Sequence, residues 1–388
     1  MKKVFGTLII LTVIGLFGFF FAAAKIVDSE RNVLISHEDR SPSPEVLDLH
    51  EKLVIADWHA DNLLWDRDLL VERNHGHVDL PRLLKGNFTL QVFDAVIKTP
   101  KGQNYHKNSG NTDALTLLTI ANRWPVKTWT SLYERALFQS KKLESAAKRS
   151  EGQLKLIRSA SDLKRLLEER QIHRDQVGGI LAIEGLHALE GNIEYLDGLY
   201  NAGFRIMGLT HFFDNKIGGS SAGEEQGGLT PFGKQVIQQM NEKDIIIDLA
   251  HASSKLIDDV LELSTKPVVV SHTGVKGTHD SPRNLSDQQL RAIAEKGGMV
   301  GIGFWEGAIG SIRPKAIVQT IRYVADLIGI EHVCLGSDWD GATTVAIDAA
   351  HIWMLTEEML NQGFTQNEIQ RVMGMNQVEF LLNQLPSS

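Results

Sequence analysis

The segment "IIIDLAHAS" (245–253) decides the fold. An apolar, β-branched run this continuous reads as a strand covered on both faces, as in a parallel sheet flanked by helices. It ends in a histidine, and "PVVVSHTG" (267–274) repeats the plan. Outward from this pair, similar runs recur at "LVIADW" (53–58), "TLQVFDAV" (89–96), "GGILAI" (178–183), "RIMGLT" (205–210), "MVGIGF" (299–304) and "HVCLGS" (332–337), making eight strands. Helical signals fall between them. "SASDLKRLLEER" carries a serine cap, "LTPFGKQVIQQMNEK" puts Thr230 at the cap and Pro231 at the first helical position, and "TQNE" (365–368) reads as a capping box. Eight strand–helix units predict an α/β fold, a (β/α)8 TIM-type barrel over residues 47–388. The span 97–177 exceeds one crossover, so extra helices are expected there, including the periodic "PVKTWTSLYERALFQSKKLESAAK".

A formal net charge of −8 and a pI of about 6.0 leave no basic footprint for nucleic acid. At the other end of the polarity scale, Lys2 and Lys3 precede an uncharged apolar run from Val4 to Ala24. As a helix it would span about 31 Å, one hydrocarbon core. Residues 1–25 therefore predict an N-terminal membrane anchor, with the rest of the chain outside the cytoplasm at the cell envelope. The alternative is a cleaved signal at "FAAAK" and a secreted or periplasmic product. Residues 26–46, including "SHEDRSPSPEV", read as a linker. Cys334 is the only cysteine, so no intrachain disulfide is expected, and "NQLPSS" gives no hydrophobic tail for a lipid anchor.

In a parallel barrel the C-terminal strand ends build the active site. The first strand ends in "DWHAD" (His59, Asp61), the third in "AIEG" (Glu184) and the fourth in "LTH" (His211). The fifth and sixth give His251 and His272, and the eighth, "GSDWDG", gives Asp338. Burying seven ionisable groups on one rim is costly unless something pairs with them. A cluster of divalent metal ions does so, and imidazole with carboxylate is a normal zinc donor set. One such histidine alone would read as a packing residue; all seven at strand ends do not. "NHGH" (His75, His77) follows no strand and reads as a loop near the site. "GGSSAGEEQGG" (218–228) lacks the lysine of a phosphate loop and reads as a mobile loop over the site.

In order along the chain, "DWHAD", "AIEGLHAL", "LTHFFDN", "DLAHAS", "VVSHTG", "SPRNLSD" and "GSDWDG" resemble the motifs of the membrane dipeptidase (renal dipeptidase) family of zinc peptidases. The likeness runs over roughly residues 50–384 and includes "HVDLPRL" and "LTPFGKQV". It implies a barrel of the metal-dependent hydrolase kind holding two Zn2+ ions, acting on dipeptides with a free C-terminal carboxylate, and pairing as a homodimer. By the same resemblance, His59 and Asp61 bind one zinc, Glu184 bridges both, and His251 and His272 bind the second. His211 contacts substrate, Arg283 grips its carboxylate and Asp338 handles protons. Departures such as "HAD" and "GMN" near Asn376 spare this set. The expected chemistry is attack by a hydroxide shared between the ions, with charge on the carbonyl oxygen stabilised by zinc and His211. Two rivals remain: another binuclear amidohydrolase-type enzyme, which would usually show H-x-H after the first strand, and a catalytically silent envelope binding protein, which would have lost a ligand or Asp338.

Overall fold

A computed structural model describes residues 5, 15, 18–35 and 40–388. Its centre is a ring of eight parallel strands: β1 (Ile55–Ala60), β2 (Phe88–Val96), β3 (Val177–Glu184), β4 (Phe204–Gly208), β5 (Ile246–Asp248), β6 (Val269–Thr273), β7 (Met299–Ile302) and β8 (Val333–Leu335). Each overlaps the run that predicted it, and each pairs with its neighbours in chain order from β1 to β8. A short extra strand, Leu154–Leu156, pairs beside β3. The long span after β2 holds helices Leu115–Ala121, Leu132–Arg149 and Ala160–Glu169, the last two capped by Ser131 and Ser159.

Two side-chain sets separate inside and outside. One large cluster joins strand residues such as Leu181, Met207 and Val300 to the surrounding helices. A second unites Trp58, Val92, Ala182, Ile206, Ile246, Val269, Met299 and Cys334, one from every strand. Side chains from all eight strands can meet only on the barrel axis, so this set is the barrel filling. Strand side chains alternate, so two residues further along, the same face carries Asp94, Glu184, Asp248 and Ser271. The barrel is thus apolar below and polar at its C-terminal mouth.

The ring closes between β8 and β1 through a polar seam. Ala60 bridges Trp339, and Asp61 N–H donates to Trp339 O at 2.8 Å. Below it, the buried Asp57 carboxylate accepts Ser337 N–H at 2.8 Å and Gln91 Nε2–H at 2.7 Å. Ser337 Oγ lies 2.8 Å from Asp57 Oδ2 and 2.9 Å from His59 O. Burial pushes the Asp57 pKa up, and the Gln91 and Ser337 donors offset part of that.

The apolar run at residues 4–24 lies mostly outside the described residues. Among those described, no helix is long and apolar enough to cross a membrane. Within residues 26–46, helix Ala24–Arg31 leads into a short strand, Val33–Leu34, that pairs in parallel with Thr344–Val345. Helix Pro44–His50 follows, capped by Ser43.

Ser337→Ala deprives the buried Asp57 carboxylate of a hydroxyl partner. Stability should fall by about 1–3 kcal/mol, measured by denaturant unfolding, with the metal complement retained.

Candidate metal centre

Each strand end delivers its polar residue by local backbone geometry. The register Val96↔Glu184 sets Glu184 at the last paired position of β3. His251 and Asp338 both sit in the left-handed region, with φ of 63° and 59°. This conformation is costly for residues with a Cβ and persists where the surroundings enforce it. It turns the chain sharply at the rim just after β5 and β8. Gly341 leaves room for the Asp338 carboxylate: a Cβ there would meet Asp338 Oδ1 at 2.1 Å and push it aside.

All seven strand-end residues converge. Glu184 is the hub: Oε2 lies 2.9 Å from His211 Nε2, while Oε1 lies 2.9 Å from His251 Nε2 and 3.4 Å from His272 Nε2. His59 Nε2 stands 3.9 Å from Glu184 Oε1, 3.3 Å from Asp61 Oδ1 and 3.8 Å from Asp338 Oδ1. Three overlapping trios could each hold a cation: His59–Glu184–His272, Glu184–His211–His251 and His59–Asp61–Asp338. His211 is as close to Glu184 as His251 is, so distance alone does not separate substrate contact from ligand.

The donor set fits metal ions on its own geometry. His59 Nε2 and Asp61 Oδ1 are buried and make no aligned hydrogen bond. His251 Nε2 and His272 Nε2 face each other at 3.0 Å. Burial, and then the Arg283 charge on His251 and the His59 charge on His272, hold both histidines well below the usual imidazole pKa. Neutral imidazoles with convergent lone pairs are what cation binding needs. Against the upward push of burial, His211 and His251 keep the Glu184 carboxyl well below its usual range. Burial raises Asp338 well above its usual range, partly opposed by His59 and then reinforced by Asp61 and Glu184.

These groups open into a cavity of about 1020 Å³ that reaches Asp61, Glu184, His211, His251 and Asp338, with Phe212, Trp305 and Tyr105 on its walls. Arg283 is buried beside it rather than lining it. One guanidinium N–H donates to His272 O at 2.8 Å, and Nε has no partner.

Two site residues were not legible from strand ends. Asp94, inside β2, holds His59 from behind, with Oδ2 at 3.2 Å from Nδ1. Burial lifts its pKa to about 7 against the pull of His59. The signal was a lone carboxylate in the apolar run "TLQVFDAV". Tyr105, on the loop after β2, accepts a hydrogen bond from Trp305 Nε1 at 2.9 Å. Nothing in its sequence neighbourhood marks it. The H-x-H pair lies outside the three trios: His75 Nε2 is 3.2 Å from Asp28 Oδ2, and His77 is bonded to Asp340.

Comparisons with known proteins identify the family and the fold. The family described as Membrane dipeptidase (Peptidase family M19) matches residues 43–383. A Klebsiella pneumoniae protein, "Uncharacterized protein in pqqA 5'region", is 32% identical over 249 residues, covering 60% of this chain and 90% of its own. Dipeptidase verJ of Clonostachys rogersoniana is 27% identical over 307 residues, covering 77% of this chain and 74% of its own. Among solved structures, a Rhodobacter sphaeroides metallo peptidase liganded with a phosphinate mimic of the dipeptide L-Ala-D-Ala superposes with a TM-score of 0.72 at 24% identity, covering 86% of this chain and 99% of its own.

Asp94→Asn removes the carboxylate that orients His59. Metal affinity, read by chelator competition, should drop about 10–100-fold. An unchanged affinity would remove Asp94 from the site.

Proposed function

The chain belongs to the membrane dipeptidase family, and from that premise we propose that this metallo-dipeptidase uses two zinc ions to cleave dipeptides bearing a free C-terminal carboxylate. The observation that carries the reading is Glu184, a single carboxylate within 3.9 Å of four imidazoles. Four nitrogens and three carboxylates suit zinc better than magnesium or calcium, which prefer all-oxygen shells. His59 and Asp61 would hold one ion, His251 and His272 the other, and Glu184 both. Bound there, zinc would supply Lewis acidity and bring the pKa of water towards neutrality.

The chain's own residues supply the rest. His211 Nδ1 lies 3.2 Å from Lys98 O, which fixes the ring and aims Nε2 at the Glu184 side of the cavity. With Nδ1–H on Lys98 O, Nε2 can donate to a developing carbonyl oxyanion only as the imidazolium, the form that the Glu184 carboxylate 2.9 Å away favours, and one such donor is worth about 3–4 kcal/mol. Asp338, 3.8 Å from His59 Nε2, would be ionised once cations occupied the site, and could then take a proton from water and return it to the leaving amine. Arg283, buried beside the cavity, would reach the substrate carboxylate by turning its free Nε–H edge into it; a cation so near the metal centre favours peptides whose carboxylate lies one residue beyond the cut bond. The apolar N-terminal run supports a place at the cell envelope, outside the cytoplasm, and the family resemblance implies a homodimer.

The amidohydrolase alternative would recruit the H-x-H pair, yet His75 and His77 are engaged by Asp28 and Asp340. A silent binding protein would lack part of the set, and all seven groups are present.

Dialysis against a chelator should abolish dipeptide hydrolysis, and zinc should restore it. His251→Ala should eliminate activity and lower bound zinc from about two towards one; full activity would remove His251 from the ligands. Arg283→Ala should raise KM for free dipeptides about 10–100-fold, as expected for a lost charged hydrogen bond, with a smaller effect on kcat. If the unsubstituted enzyme cut amidated dipeptides equally well, the carboxylate clamp would be wrong.

A further inference from the structure

The segment ahead of the barrel is tied to the loop that carries Asp338. On helix Ala24–Arg31, Asp28 is buried, and its Oδ1 accepts Asn32 Nδ2–H at 2.8 Å. Its Oδ2 lies 3.1 Å from Arg67 Nε, and Arg67 Nη2 lies 2.9 Å from Asp340 Oδ1. Asp340 accepts His77 N–H at 2.8 Å and donates its own N–H to His77 Nδ1 at 3.0 Å. Asn32 Oδ1 accepts Ala342 N–H at 2.9 Å. Val33 and Ile35 donate to Thr343 O and Val345 O at 3.1 and 2.9 Å. These anchors from the segment all lead to residues 340–345, directly after Asp338. Two buried carboxylates sharing one guanidinium make a rigid joint, because removing any one of them strands a buried charge.

A joint of this strength is out of proportion to a tether. Phe19, Ala23, Val27 and Arg31 fall four residues apart on one helical stripe, and all four line the cavity that reaches Asp61, Glu184 and Asp338. Val27 is 41% exposed, an apolar side chain with free space before it. Arg283 is buried on the β6 side, against His272 O, whereas the stripe hangs over the loop after β8.

We propose that this stripe is a specificity wall of the substrate chamber, in which Val27 limits the size of the substrate's amino-terminal side chain. The proposal rests on the dipeptidase reading. A substrate carboxylate held at Arg283 directs the other residue outward, towards the stripe. The joint keeps the wall at a fixed distance from Asp338, so the chamber discriminates by bulk.

The test uses the full, zinc-loaded chain and two dipeptide series, one with the amino-terminal residue rising from Gly through Ala and Leu to Phe and one with the carboxy-terminal residue so varied. In Val27→Trp, kcat/KM should fall about tenfold or more for Leu and Phe relative to Gly in the first series only, mainly through KM, the size of effect expected when a pocket loses room for a few methylenes. Val27→Ala should shift the same ratio the other way. Ile26→Trp, on the same helix but off the cavity, should leave both series unchanged, and matched unfolding midpoints for the three variants exclude a folding defect. Equal losses across the first series, no change, or an effect confined to the carboxy-terminal series would overturn the wall while leaving the dipeptidase intact. No hydrolysis of any dipeptide by the unsubstituted chain would sink the dipeptidase reading and the wall together.

Discussion

The Glu184 carboxylate is the constraint on which the rest of the mouth depends. It is buried, it touches three imidazoles within 3.4 Å, and a fourth stands at 3.9 Å. A carboxylate in such a place is stable only while positive charge or hydrogen-bond donors surround it, since the cost of taking it out of water is several kcal/mol. Its histidine partners are themselves disfavoured as cations by burial. The protein alone therefore cannot satisfy every member. The shortage of positive charge fits the mouth to metal ions, and beyond their 3.3 Å approach to each other His59 Nε2 and Asp61 Oδ1 make no aligned hydrogen bond.

The fold places this cluster by alternation along the strands. Val92, Ala182, Ile246 and Val269 fill the axis, and Asp94, Glu184, Asp248 and Ser271 follow two positions on. One step of register would turn each of these polar side chains into the apolar layer between sheet and helices. The dry filling below the mouth also keeps water from approaching the cluster from beneath, so its charges interact at low dielectric. The seam at Asp57 and Ser337 serves the same end. It closes the ring with buried hydrogen bonds and holds His59 and Asp338, which come from opposite ends of the sheet, within 3.8 Å of each other.

Much of this was legible in the sequence because two simple signals coincide. Eight continuous apolar runs mark eight buried parallel strands, and a polar residue closing a strand points at the mouth. His59, Asp61, Glu184, His211, His251, His272 and Asp338 all obey that rule, and the structure brings them together. Asp94 escaped because it lies inside a strand, where only the pairing of β2 beside β1 shows that it backs His59. Tyr105 escaped because a long loop carries no period. The polar stretch after residue 25 looked like a tether because polarity reports exposure on average, and the partners that bury Asp28 are remote in sequence.

That last case shows how a buried charge changes the meaning of a segment. Lys25, Ser29 and Glu30 are exposed, so helix Ala24–Arg31 has the composition of a solvated linker. A single buried aspartate on it demands a cation, Arg67 answers, and Arg67 in turn is shared with Asp340 two residues past Asp338. Burial opposes the charge on Arg67, but Asp340 and Asp28 together raise its pKa, so the guanidinium stays ionised throughout the accessible pH range. The joint therefore has no titratable weak point on the arginine side. The segment ahead of the barrel and the rim that carries Asp338 are bound into one electrostatic unit, and residues that precede the barrel line the cavity at its mouth.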